Sequence, residues 1–179
     1  MSIKVGLLRG INVGGKNSLP MKELRELFGE LGCRDISTYI QSGNVVFKSD
    51  EAADVLSEKL SSMIEQRFGF EPFVLILSGD ILTAIAEANP YGDDDIEPKF
   101  VHVNFLSRKA TAPDIHGMQD RQSGTEDFML TDRALYLRAP DGIGRSKLAA
   151  DAEKLLGVPA TGRNWKTVCK LVEMVNAAI

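Results

Sequence analysis

Ile36-Ser-Thr-Tyr-Ile-Gln-Ser-Gly-Asn-Val-Val-Phe-Lys48 flanks the pair Ser42-Gly43 with two strand-like runs. β-Branched and aromatic residues in such runs mark strands, and a Ser-Gly pair between them marks a tight hairpin. A two-residue turn would set Gln41 opposite Asn44 and Tyr39 opposite Val46 on one face. Ile36, Thr38, Ile40, Val45 and Phe47 then fall on the other face, available for helices to cover. Outward from the hairpin, helical patterns lie on both sides. Met21, Leu24, Leu27, Phe28 and Leu31 recur at helical spacing upstream, with Pro20 suited to the first turn and Gly32 as the stop. Leu56, Leu60, Met63, Ile64 and Phe68 do the same downstream, ended by Gly69. Beyond these, Ile3 to Leu8 and Phe73 to Leu77 are short apolar runs of the buried-strand kind. The order β-α-β-β-α-β is ferredoxin-like, and a short helix over Asp80 to Ala88 trails it.

The order then recurs more weakly. Asn89 to Pro98 holds Asn-Pro, a glycine, the acidic run Asp93, Asp94, Asp95 and Glu97, and a second proline, which together mark a loop or boundary. Phe100 to Leu106 reads as a strand and Asp114 to Arg121 as a helix. Asp127 to Leu130 and Leu135 to Arg138 form a hairpin pattern about Thr131-Asp132-Arg133. A helix carrying Leu148, Ala152, Leu155 and Leu156 follows, then a short strand over Val158 to Thr161. The final helix carries Trp165, Val168, Cys169, Val172 and Val175, with Trp165 in the core. The expected fold class is therefore α+β: a ferredoxin-like first half (1–89), a second similar half by duplication (90–179) and a C-terminal helix. The two halves are expected to pack as one compact unit.

This topology sets the first strand beside the third, with the first two strands running the same way. Arg9-Gly10 and Ser42-Gly43 then share one end of the sheet, and the polar face with Tyr39, Gln41 and Asn44 is left for a ligand or for the second half. Charge adds a second clue. The chain of 179 residues has formal net charge −4, yet residues 1–25 and 144–170 each carry net +4, leaving −12 for the rest. Two positive stretches on an acidic chain point to an anion-attracting patch if the fold joins them.

Several chemistries are set aside. No apolar run approaches the ~18 residues of a membrane span, and Met-Ser-Ile-Lys-Val lacks a signal-peptide pattern. Cys33 and Cys169 without an export signal read as reduced thiols in a cytoplasmic protein. His102 and His116 do not stand at metal-ligand spacing with a cysteine, the aspartate run lacks calcium-loop spacing, and no cofactor motif is present, so the expectation is no metal and no cofactor. No residue set specifies a reaction.

Four segments carry the candidate site. Gly10-Ile-Asn-Val-Gly-Gly-Lys-Asn17 matches the phosphate loop except that Asn17 replaces its hydroxyl residue, and Ser18-Leu19-Pro20 separates it from the helix. Glycines alone suit a bend with close backbone approach, but Arg9, Asn12 and Lys16 on that bend suit a polar ligand. Gln41-Ser-Gly-Asn44 offers amides and a hydroxyl, or simply a good turn. Pro159-Ala-Thr-Gly-Arg-Asn-Trp165 opens the last helix, with Thr161 as the expected N-cap and Arg163 beside it. Gly142-Ile-Gly-Arg-Ser-Lys147 repeats the pattern, with Ser146 capping a helix and Arg145 before it. Adjacent Ser146 and Lys147 do not face each other on a helix, so they are not read as a nucleophile and its base.

Leu7 to Asn17, Tyr39 to Phe47, Gly144 to Leu148 and Arg163 to Val168 together resemble the bacterial family called domain of unknown function 1697. That resemblance implies a cytosolic α/β protein of this size and no assigned activity, substrate or catalytic residue.

The residues thus point to an anionic or phosphorylated small molecule, nucleotides included. Its expected contacts are Arg9, Asn12, Gly14, Gly15, Lys16, Gln41, Ser42, Asn44, Arg145, Ser146, Arg163 and Asn164. The expectation is that the Arg9–Lys16 loop, the Gln41–Asn44 turn and the helix start at Arg163-Asn164 form one pocket. Two other readings stand beside it: a single-stranded RNA module using Tyr39 on an open sheet, and motifs that only lock the two halves together.

Overall fold

The computed structural model describes residues 1–93 and 95–178, so Asp94 of the acidic run lies outside the described residues. Among the described residues, eight strands and six helices follow one another as two successive β-α-β-β-α-β series, each with a trailing helix. Strand β1 (Ser2–Arg9) leads to α1 (Met21–Glu30), then β2 (Arg34–Tyr39), β3 (Asn44–Ser49), α2 (Ala53–Phe68), β4 (Phe73–Ser78) and α3 (Gly79–Glu87). The second series is β5 (Val101–Leu106), α4 (Ile115–Arg121), β6 (Asp127–Leu130), β7 (Ala134–Arg138), α5 (Lys147–Leu156), β8 (Ala160–Asn164) and α6 (Trp165–Ala177). Each series forms a four-stranded antiparallel sheet, β2-β3-β1-β4 and β6-β7-β5-β8. The fold is α+β with two similar halves and a C-terminal helix, consistent with duplicated ferredoxin-like halves. Two compact units divide the chain: Met1–Thr83 with Leu171–Ile179, and Ala84–Lys170.

In the first unit α1 and α2 cover one face of the sheet. Leu8, Val45, Phe47, Val74 and Ile76 meet Leu24, Leu27, Phe28, Leu56, Leu60 and Ile64 there, with the Phe28 and Phe47 rings 4.7 Å apart and tilted. Fully burying each such side chain stabilises the fold by about 1.5–3 kcal/mol. In the second unit α4 and α5 cover the face bearing Leu106, Leu135, Leu137 and Ala160 with Met118, Leu148, Ala152 and Leu155. The Tyr136 hydroxyl donates to the Ile85 carbonyl at 2.7 Å, tying β7 to α3.

The β2-β3 turn differs from expectation. Tyr39, not Gln41, stands opposite Asn44, and Ser37, not Tyr39, stands opposite Val46. The loop is therefore four residues long, Ile40 to Gly43. The Asn44 side-chain amide closes it, donating to the Tyr39 carbonyl at 3.1 Å and the Ser42 hydroxyl at 2.9 Å. From Ser37 to Tyr39 a register shift of two leaves each paired residue on its expected face, because side chains alternate with period two, whereas a bulge between Arg34 and Ser37 breaks the alternation upstream. Ile40 and Gln41 leave the strands for the turn, where Ile40 has φ 48° and is 51% exposed.

The opposite face of the first sheet is not an open polar one. Val5, Leu7 and Val46 are at most 2% exposed and Asn44 is fully buried. Strand β1 is apolar on both faces, so neither was suited to water. The C-terminal part of α6 lies on that side: its Met174 and Ala177, with Ala178 just after it, border a groove with Ser37, Val46 and Lys48. Val175 and Ile3 both approach Gly79.

The last strand is also displaced. It runs Ala160–Asn164 rather than Val158–Thr161, paired with β5 from Leu106↔Ala160 to His102↔Asn164. Asn164, not Thr161, caps α6, its side-chain oxygen accepting the Thr167 N–H at 2.9 Å. Ladder bonds with β5 outweigh the weak apolar pattern of Thr161 to Asn164 and draw the polar segment into the sheet.

Candidate functional site

The glycine-rich segment does not fold as a phosphate loop. Its tip is a tight turn in which the Lys16 N–H donates to the Val13 carbonyl at 3.0 Å. Gly14 (φ 58°) and Gly15 (φ 74°) occupy the two central positions, where successive positive φ values favour glycine. Asn12 locks the base of the loop: its side-chain oxygen accepts the Leu19 N–H at 2.7 Å, and its amide donates to the carbonyls of Leu19 (2.9 Å) and Gln41 (2.8 Å). The Asn17 amide donates to the Gly10 carbonyl at 2.8 Å. The turn after β2 is fastened to the same place, since the Leu8 N–H donates to the Gly43 carbonyl at 2.9 Å. A Cβ on Gly43 would stand 2.7 Å from Leu8 Cβ and 2.9 Å from Ile11 Cδ1, so the backbones can approach only through glycine.

Arg9, Asn12, Gly14, Gly15, Lys16, Gln41, Ser42 and Asn44 thus occupy one end of the first sheet, as expected, but their roles divide. Asn12 and Asn44 serve the backbone. Gly14, Gly15, Lys16, Gln41 and Ser42 are exposed, and the Lys16 ammonium has no hydrogen bond or ion pair among the described residues. Arg9 lies over the Phe73 ring, 4.9 Å from its centroid, and lines a shallow cleft that also holds Glu58 and Glu71. Its charge is directed toward β4 and two carboxylates, on the side of β1 away from the turn.

Arg163 and Asn164 belong to the second unit. Arg163 is a buried strand residue opposite Val103 and donates to the Thr161 hydroxyl at 2.9 Å and the Gly162 carbonyl at 2.8 Å. Burial disfavours its charged form and pulls its pKa down to about 10. The guanidinium is still protonated at neutral pH, but it is turned inward rather than offered at a helix start. Asn164 is a capping residue, as described above.

Arg145 and Ser146 lie elsewhere in that unit, and here a cleft opens. Asp120, Arg121, Gln122, Ser123, Glu126, Asp141, Gly142, Arg145 and Lys147 line a cavity of about 440 Å³, within the usual size of small-ligand sites. Ser146 caps α5, its hydroxyl oxygen accepting the Ala149 N–H at 3.0 Å, so it acts on the helix rather than in the cleft. Arg121 is committed to Asp151 and to the Gly117 carbonyl. Asp141 accepts the Thr125 hydroxyl at 2.6 Å. The Arg145 and Lys147 side chains have no hydrogen bond or ion pair among the described residues. Glu126 is 5% exposed and accepts the Ser123 N–H at 3.0 Å. Cations and acceptors therefore line one hollow, which can hold a polar ligand by charge and hydrogen bonding. Among the described residues no group of three or more histidine, cysteine, aspartate or glutamate side chains is placed to hold a metal ion.

The family model described as "Protein of unknown function (DUF1697)" matches residues 1–136, about three quarters of the sequence. This chain belongs to the DUF1697 family. A solved structure described as that of the conserved bacterial protein SP0830 from Streptococcus pneumoniae is 26% identical to it. That alignment covers 97% of this chain and 98% of the other, with a TM-score of 0.69. No curated protein matches. Among the described residues of this DUF1697 chain, no helix is long and apolar enough to cross a membrane.

Sequence reasoning stopped one residue short of Lys147 and missed Glu126 and Arg121 altogether. The Gly142 to Lys147 motif carried a local signal for the first. Glu126 gives none, because nothing in a polar loop distinguishes a carboxylate that the fold will bury from one that stays in water.

Proposed function

We propose that this protein is a cytoplasmic binding protein for a phosphorylated small molecule, nucleotides among the candidates, held in the second unit between Arg145 and Lys147. The carrying observation is that both cations line a cavity of about 440 Å³ with no partner of their own among the described residues. A guanidinium fork and an ammonium complement a phosphate's oxygens by charge-assisted hydrogen bonds. That neither Cys33 nor Cys169 stands in a disulfide supports the location. Melting the protein with nucleotides and sugar phosphates tests the function. At a ligand concentration 100 times Kd a rise of about 5–10 °C is expected for a chain of this size, and it should vanish in Arg145→Ala, Lys147→Ala. No rise with any phosphate, or an equal rise in the double variant, overturns it.

A different reading fits the first-unit motifs. The bonds made by Asn12 and Asn44 favour a structural role for the glycine-rich loop and the Gln41–Asn44 turn, with Lys16 and Gln41 as solvated surface. The RNA reading loses its platform, since Tyr39 is half-buried on a face whose neighbours are buried.

A further inference from the structure

We infer that Glu126 selects the ligand of the second-unit cleft, and that this ligand is a sugar phosphate whose hydroxyls donate to the carboxylate. This rests on the phosphate-binding reading of the same cleft. Glu126 is 5% exposed, accepts one backbone N–H, from Ser123 at 3.0 Å, and has no ion-pair partner among the described residues. A buried carboxylate is costly unless its oxygens are paired or hydrogen-bonded, and one N–H leaves most of its acceptor capacity unused. The nearby cations do not fill it: Arg121 is committed to Asp151, while Arg145 and Lys147 are unpaired among the described residues. Asp120 and Asp141 add two more carboxylates to the lining. A bare phosphate in this cleft gains two cations but meets three carboxylates, whereas a phosphorylated sugar turns its hydroxyl donors toward them. Hydrogen bonds from neutral hydroxyls to a charged acceptor are among the stronger ones.

Calorimetric titration of the full chain with inorganic phosphate, ethyl phosphate, ribose 5-phosphate and ribose tests this. Ribose 5-phosphate is expected to bind about tenfold or more tightly than inorganic or ethyl phosphate, the gain of one hydrogen bond to a charged group. In Glu126→Gln, which keeps an acceptor for the Ser123 N–H, that preference should fall to within about threefold while inorganic phosphate binds no more weakly. Equal binding of the three phosphates by the wild type, or an unchanged preference in Glu126→Gln, overturns the selection by Glu126 and leaves phosphate binding intact. Failure of all three phosphates, or ribose binding as well as its phosphate, overturns both. The ethyl phosphate comparison needs only the wild type, so equal binding there overturns the selection even if Glu126→Gln does not fold.

Discussion

Asn12 and Lys16 stand on one loop, and the structure gives them opposite duties. Removing the Asn12 side chain in Asn12→Ala strands the Leu19 N–H and two carbonyl acceptors, which should cost about 2 kcal/mol in urea unfolding. Lys16→Ala removes an exposed cation with no partner among the described residues and should stay within about 0.5 kcal/mol. Gly43→Ala is the severest change here, since a Cβ would stand 2.7 Å from Leu8 Cβ at a φ of 80°; a loss of about 2 kcal/mol or more is expected from the same measurement. The candidate residues were legible as polar side chains on bends. Their duties were not, because an asparagine that fastens two backbone segments and one that faces a ligand have the same local sequence. Only the distance to Gln41, 29 positions away, separates the two.

Elements were legible where apolar periodicity was strong. Helices α1 and α2 and strands β1 and β4 bury regular sets of side chains, and burial decides their type and approximate ends. The turn after β2 and strand β8 were misplaced because polar segments carry no such signal. Ser42-Gly43 looks like a two-residue hairpin, yet the Asn44 amide reaches back to Tyr39 and closes a wider loop. That loop holds Ile40 at φ 48°, a strained position for a β-branched residue. Ile40→Asn, which tolerates this conformation, should raise the urea midpoint by an amount equivalent to about 0.5–1 kcal/mol. At α6, Asn164→Ala should cost about 1 kcal/mol of stability by removing the cap on the Thr167 N–H.

At the scale of the molecule, a half-buried histidine makes stability depend on pH. His102 in β5 is held below the usual imidazole range, chiefly because burial disfavours its charge, with a hydrogen bond to the Lys99 backbone partly opposing this. Its Nε2 is buried without a partner, so protonation there would leave a charged donor unmatched. The unfolded chain binds a proton more readily than the folded one, so this contribution is intact above a pH of about 6.5 and lost as pH falls below it. Urea unfolding across that range should show a steeper acid loss in the wild type than in His102→Gln.

The chain's own pattern of apolar residues determined the α+β class and the repeated order of strands and helices, and its short motifs carried the kinship with DUF1697, because those depend on side chains a few positions apart. Tertiary structure alone decided that the glycine-rich loop fastens itself to a turn, that Arg163 is turned inward, and that Arg145, Lys147 and Glu126 line one cleft. These outcomes depend on which distant backbone groups meet and which charges lose water, and neither quantity is local.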